Sequence, residues 1–110
     1  MAVPEFDVAK IKRYCDKDNT TPHSDKLRID FEVDGNVVTL FELRAPYDGA
    51  STEWMREDFA QFRWSPSNKL WSLYCMRGDL RWHRYKDLDP GPVDELIAEI
   101  DEDPTNIFKG

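Results

Sequence analysis

Apolar positions along the chain change period, and each period predicts one kind of element. Val8, Ile11, Tyr14 and Cys15 recur at helical spacing opposite Lys10, Lys12, Arg13 and Lys17, and Pro4 and Glu5 suit a helix entrance. An amphipathic helix is therefore expected over residues 5–17. Residues 19–25, with Pro22 among them, suit a loop. From Lys26 the period becomes two: Leu27, Ile29, Phe31 and Val33 alternate with Arg28, Asp30 and Glu32, as in a half-buried strand. Asp34-Gly35 is a two-residue hairpin turn by composition, returning residues 37–43 as a second strand. Residues 44–55, with Pro46 and Gly49, suit a long exposed connection.

Three more strands are expected over 59–64, 69–76 and 80–86, separated by Ser65-Pro66-Ser67-Asn68 and by Gly78-Asp79. After Asp89-Pro90-Gly91-Pro92, a second helix places Val93, Leu96, Ile97 and Ile100 inward and Asp94, Glu95, Glu99 and Glu102 outward. The tail carries one apolar anchor, Ile107-Phe108. The expected fold class is α+β: a five-stranded, mostly antiparallel sheet, made of a hairpin plus a three-stranded meander and flanked by an N-terminal and a C-terminal helix. The whole is expected to be a single domain over residues 1–110.

Strict alternation assigns the meander two faces. One collects Ala60, Phe62, Trp64, Trp71, Leu73, Cys75, Leu80 and Trp82, with Phe62 opposite Trp71 and Cys75 opposite Trp82; it is the expected core face. The other collects Gln61, Arg63, Ser72, Tyr74, Arg81, His83 and Tyr85 with Phe59, Leu70 and Met76, and sets Tyr74 opposite His83. Arg84 and Lys69 fall on the opposite parity and would reach solvent only at the sheet margin. On this reading Arg63, Tyr74, Arg81, His83 and Tyr85 make a basic, aromatic platform for a small anionic ligand or a protein partner. Solvated strand faces also carry Tyr and Arg for ordinary reasons.

Charge sharpens the contrast. The chain carries a net charge of −7, yet residues 56–86 hold seven basic and three acidic groups, against one and eight in 87–110. An acidic protein is a poor binder of duplex DNA, whose affinity rests on clustered Lys and Arg; the middle block is where an anion would be met. No apolar stretch approaches the roughly 20 residues needed to span a bilayer, and Met1 to Tyr14 lacks a signal-peptide centre, so a cytoplasmic protein away from the membrane is expected. Cys15 and Cys75 have no nearby Cys or His, which suits two buried thiols rather than a zinc knuckle.

The sequence also carries weaker chemical signals. Asp30 followed by Glu42-Leu43-Arg44 on the hairpin partner is similar to the two-acid layout of metal-dependent nucleases, with Asp30 and Glu42 as alternative metal ligands and Arg44 steadying phosphate. The two acids meet only in a bulged hairpin; a two-residue turn at Asp34-Gly35 sends them to opposite faces. His23 and His83 fit no zinc spacing, and neither a nucleophile elbow nor a phosphate loop is present. Arg77-Gly78-Asp79 suits turn chemistry. No cofactor is implied. A third option is a structural homodimer paired through edge strands or the Trp54 loop.

Taken together, Ala60-x-Phe62-Arg63, Leu70-Trp71-x-Leu73-Tyr74, Asp79-Leu80-x-Trp82-His83-x-Tyr85, the acidic helix with Asp101-x-Asp103, and Phe108-x-Gly110 resemble the small bacterial family known as domain of unknown function 3024. Pro22-His23 and Glu42-x-Arg44 before Pro46 are similar to it too, although Ala45 separates Arg44 from Pro46. The resemblance implies a bacterial cytosolic origin and brings no activity, cofactor or catalytic residue. The sequence therefore favours a non-enzymatic binding module using the basic, aromatic sheet face, with a small metal-dependent phosphodiesterase or a homodimer subunit as the alternatives.

Overall fold

The computed structural model describes residues 3–18, 27–46 and 53–108; the expected loop at 19–25 and most of the expected connection at 44–55 lie outside them. Helix α1 spans Glu5–Asp18, and strands β1 (Leu27–Asp34), β2 (Val37–Arg44), β3 (Met55–Ser65), β4 (Leu70–Met76) and β5 (Trp82–Arg84) precede helix α2 (Val93–Glu102). The strands form an antiparallel sheet in the order β1-β2-β3-β4-β5. This is the α+β arrangement expected.

Both helices lie on one face because their apolar stripes have only that face to cover. Ile11, Tyr14 and Cys15 of α1 and Val93, Leu96 and Ile100 of α2 join Ile29, Val38, Leu40, Ala60, Phe62, Trp71, Leu73 and Cys75 in a buried cluster. Burying a side chain of this size is worth about 1.5–3 kcal/mol, so the cluster carries the fold. Trp71 sits at its centre, tilted against Trp64 at 5.2 Å and edge-on to Phe62 at 6.3 Å between ring centroids. Its indole N–H donates to Asp7 Oδ2 (2.8 Å), tying α1 to the sheet. Cys15 and Cys75 are both buried free thiols.

Two of the three connections differ from expectation by a sliding turn. In the first hairpin Asp34 pairs with Val37, so the loop is Gly35-Asn36 rather than Asp34-Gly35. Gly35, at φ 60°, takes the first loop position, where a type II′ turn calls for glycine. Between β3 and β4 the loop is 66–69, with Ser65 opposite Leu70 and Lys69 at φ 57°. Phe62 therefore faces Leu73, and Trp71 faces Trp64. In both hairpins the loop length is as expected, so every side chain keeps its face.

The third connection changes length, and that has a larger consequence. Leu80 N–H donates to Arg77 O (2.8 Å), Arg77 N–H to Arg81 O (3.3 Å), and Asp79 Oδ1 accepts Arg81 N–H (3.1 Å), which makes Gly78-Asp79-Leu80 a three-residue loop. Leu80 occupies its left-handed position at φ 60°. One extra loop residue slips β5 by one, so Tyr74 faces Arg84, Cys75 faces His83 and Met76 faces Trp82. Trp82 and Leu80 accordingly leave the expected core face, and His83 and Tyr85 turn to the helix side. A leucine at positive φ costs about 1–2 kcal/mol, more than glycine loses in chain entropy. Leu80→Gly is therefore expected to stabilise the fold by about 0.5–1 kcal/mol, and a melting temperature below wild type would refute the strain.

A β-bulge corrects a further assignment. Leu40 pairs with Ala60 and Phe41 with Asp58, leaving Phe59 as the extra residue, buried in the core rather than on the open face. Past the bulge β3 runs back to Met55, four residues earlier than expected, because the whole length of β2 offers it ladder partners.

Candidate functional site

The face away from the helices is lined on β3 to β5 by Gln61, Arg63, Ser72, Tyr74, Met76, Trp82 and Arg84, as the register requires. Gln61 Nε2 donates to Thr39 Oγ1 (3.0 Å), and its carbonyl oxygen accepts Arg63 Nε–H (2.8 Å). That chain of bonds lays the Arg63 guanidinium over the Tyr74 ring, 3.8 Å from its centroid. An arginine over a tyrosine is held by the ring's negative face while its outward N–H groups remain directed to solvent. Arg84 is Tyr74's cross-strand neighbour on the other side. Among the described residues neither Arg63 nor Arg84 enters an ion pair.

The acids of this face are concentrated toward β1 and are largely engaged. Arg56 donates to both carboxylate oxygens of Glu32 (3.1 and 2.6 Å) and to Asp58 (2.8 Å), with its guanidinium 3.9 Å above the Phe41 ring. The hydrogen bonds from Arg56 hold the Glu32 carboxyl below its usual range and raise Arg56 itself. Asp30 folds back on its own strand, accepting Phe31 N–H at 2.8 Å. At this β1 margin Arg28 stands 5.1 Å from the Trp54 ring, giving that tryptophan a packing role.

Of the five residues singled out from sequence, the structure brings together Arg63 and Tyr74 and separates the rest. Tyr85 is buried on the helix side, donating to Glu99 Oε2 (2.7 Å) and lying 5.1 Å from the Phe108 ring. Burial, followed by the bond to Glu99, raises its pKa. His83 shares the face of Cys75, and its Nε2 meets Asp79 Oδ2 at 2.8 Å. That contact holds the Asp79 carboxyl below its ordinary range. Arg81 belongs to the connection before β5 and is in line with His83. Their places on the open face are taken by Trp82 and Arg84, the residues one step along. Trp82 is half-buried and stands outside the set packed against the core, unlike Trp64.

The carboxylates of the metal-site alternative do not meet. Asp30 pairs with Phe41, and Glu42 pairs with Ile29, so the two point to opposite faces, as the unbulged turn requires. Glu42 instead stands opposite Glu57 on β3 and is held by Arg44 at 3.0 Å. Among the described residues no group of three or more His, Cys, Asp and Glu is placed to hold a metal ion. Among the same residues no helix is long and apolar enough to cross a membrane.

A family model described as Domain of unknown function (DUF3024) matches residues 2–110. No curated protein and no solved structure matches the chain.

Proposed function

The chain belongs to the DUF3024 family, and we propose that it is a non-enzymatic binding module of the bacterial cytosol that receives an anionic ligand on the open face of β3 to β5. The observation that carries this reading is the Arg63 guanidinium laid over Tyr74 at 3.8 Å, beside Arg84 and free of carboxylates. Two other arginines of the sheet are spent on carboxylates, Arg56 on Glu32 and Asp58 and Arg44 on Glu42. An unpaired cation fixed by a ring and a hydrogen-bonded glutamine has lost side-chain freedom before any ligand arrives, which lowers the entropic cost of binding. The free thiols Cys15 and Cys75 suit a reducing compartment.

The test is a titration of inorganic polyphosphate and of polyglutamate against wild type and an Arg63→Ala, Arg84→Ala double variant. Wild type is expected to bind at least one of them, and the double variant at least tenfold more weakly, a loss of about 1.4 kcal/mol. Because both cations are arginines and His83 faces away, affinity should stay level between about pH 5.5 and 8.5, through the usual histidine range. Equal binding by the two proteins, or none by either, removes the reading.

A further inference from the structure

Three features lie together at one end of the open face. Leu80 is held at φ 60°, a conformation in which leucine is strained, and it is 81% exposed. A strained residue that buries nothing is a candidate for function. Beside it, Leu80 and Met76 line a depression of about 350 Å³ together with Arg56, Glu57 and Asp58. That volume is at the lower limit for small-molecule pockets, roughly 300–1,000 Å³, and suits a single bulky side chain. Trp82, cross-strand from Met76, extends the apolar ground toward Tyr74 and Arg84. The face thus pairs an apolar seat with two unpaired arginines.

We propose that the ligand is an acidic peptide segment of a partner protein, carrying one bulky apolar side chain that enters the Met76–Leu80 depression while its carboxylates reach Arg63 and Arg84. The inference rests on the anion-binding reading of this same face. Charge decides against a nucleic acid. Two arginines neutralise two phosphates, which for a single strand gives a salt slope of only roughly 1.4, whereas strong binders make several such contacts. A longer strand leaving the arginines across the sheet would meet Asp58 and Glu32 on a chain of net charge −7. A peptide needs just two carboxylates at that place, and Arg presents forked donors that fit them. Its apolar residue supplies the contact that Leu80 is held out to make, at a site where bulky anchors dominate affinity.

The test screens the full chain against an immobilised positional-scanning library of synthetic nonapeptides. It then measures the selected peptide, a nine-residue oligothymidylate and inorganic polyphosphate against wild type, Leu80→Gly and the Arg63→Ala, Arg84→Ala double variant. The expected selection holds at least two Asp or Glu and one Leu, Met or Phe. Its affinity should fall tenfold or more in Leu80→Gly and in the double variant. Leu80→Gly should melt no lower than wild type, so that its loss of affinity is not a loss of fold. Selected peptides without an acidic or an apolar requirement, or a selected peptide indifferent to Leu80→Gly, would overturn the proposal. Oligothymidylate or polyphosphate bound through the two arginines, with no peptide selected, would overturn the peptide class and leave the anion-binding face standing. Binding of none of the probes would remove both.

Discussion

Trp71→Ala is expected to lower stability by about 3–5 kcal/mol, the range for emptying a large aromatic site. A domain of this size has about 5–15 kcal/mol in all, so much of the population should be unfolded at physiological temperature. The expectation rests on three roles that meet in one residue. Its ring is fully buried between Trp64 and Phe62. Its indole N–H holds Asp7, and through it the start of α1. Its main chain exchanges hydrogen bonds with Gly91 (2.8 and 2.9 Å), fastening the segment between β5 and α2 to the edge of β4. Trp71→Phe separates the first role from the second: it keeps most of the volume and forfeits the bond to Asp7, at about 1–2 kcal/mol. Urea unfolding of the two variants would check the order, and a Trp71→Ala protein melting with wild type would show that the core is centred elsewhere.

Why Trp71 was legible in the sequence, and Trp82 was not, comes down to loop length. The helices follow from stripes that only one face of a helix gathers, and Val8, Ile11, Tyr14 and Cys15 lie where that spacing puts them. In the first two hairpins the turn slides along the chain by one residue on each strand, so alternation survives an error in the turn's position. Ile29, Val38, Phe62 and Trp71 reach the core either way. At the third hairpin the loop gains a residue, and alternation then gives the opposite answer for everything after it. Gly78-Asp79 signals a tight turn by composition, but nothing in a leucine signals that it will occupy the left-handed position glycine prefers. The candidate site straddles that hairpin, so its β3 and β4 members, Arg63 and Tyr74, were legible and its β5 members were not. A partial signal did exist. Tyr85, like Trp82, can be buried, and the choice between Leu80-x-Trp82 and His83-x-Tyr85 as the inward pair is settled by Phe108 and Glu99, which meet Tyr85 from far along the chain.

The same long-range contact sets the second large effect: Phe108→Ala should cost about 3 kcal/mol, the lower end of the range for a buried phenylalanine, because the irregular segment after α2 that carries it allows some collapse. Asp103 closes α2 at φ 44° with its N–H on Glu99 O (2.8 Å), its carbonyl accepts Asn106 N–H (3.0 Å), and its carboxylate accepts Phe108 N–H (3.1 Å). These bonds turn the chain back so that Phe108, 5% exposed, covers Tyr85. Tyr85 in turn bonds β4 through its N–H to Leu73 O (2.8 Å), immediately after the three residues of β5. A strand that short has few ladder bonds of its own, and its position depends on what packs behind it. Removing the Phe108 ring should therefore loosen β5 and, with it, Trp82 and Arg84 on the far side of the sheet. Thermal melting should show the stability loss. Hydrogen exchange should show faster opening at Tyr85 and β5 than at the centre of β3, and ligand affinity should fall at temperatures where the variant is still folded. A Phe108→Ala protein with wild-type melting and unchanged protection of β5 would show that the tail is not what holds the strand in register.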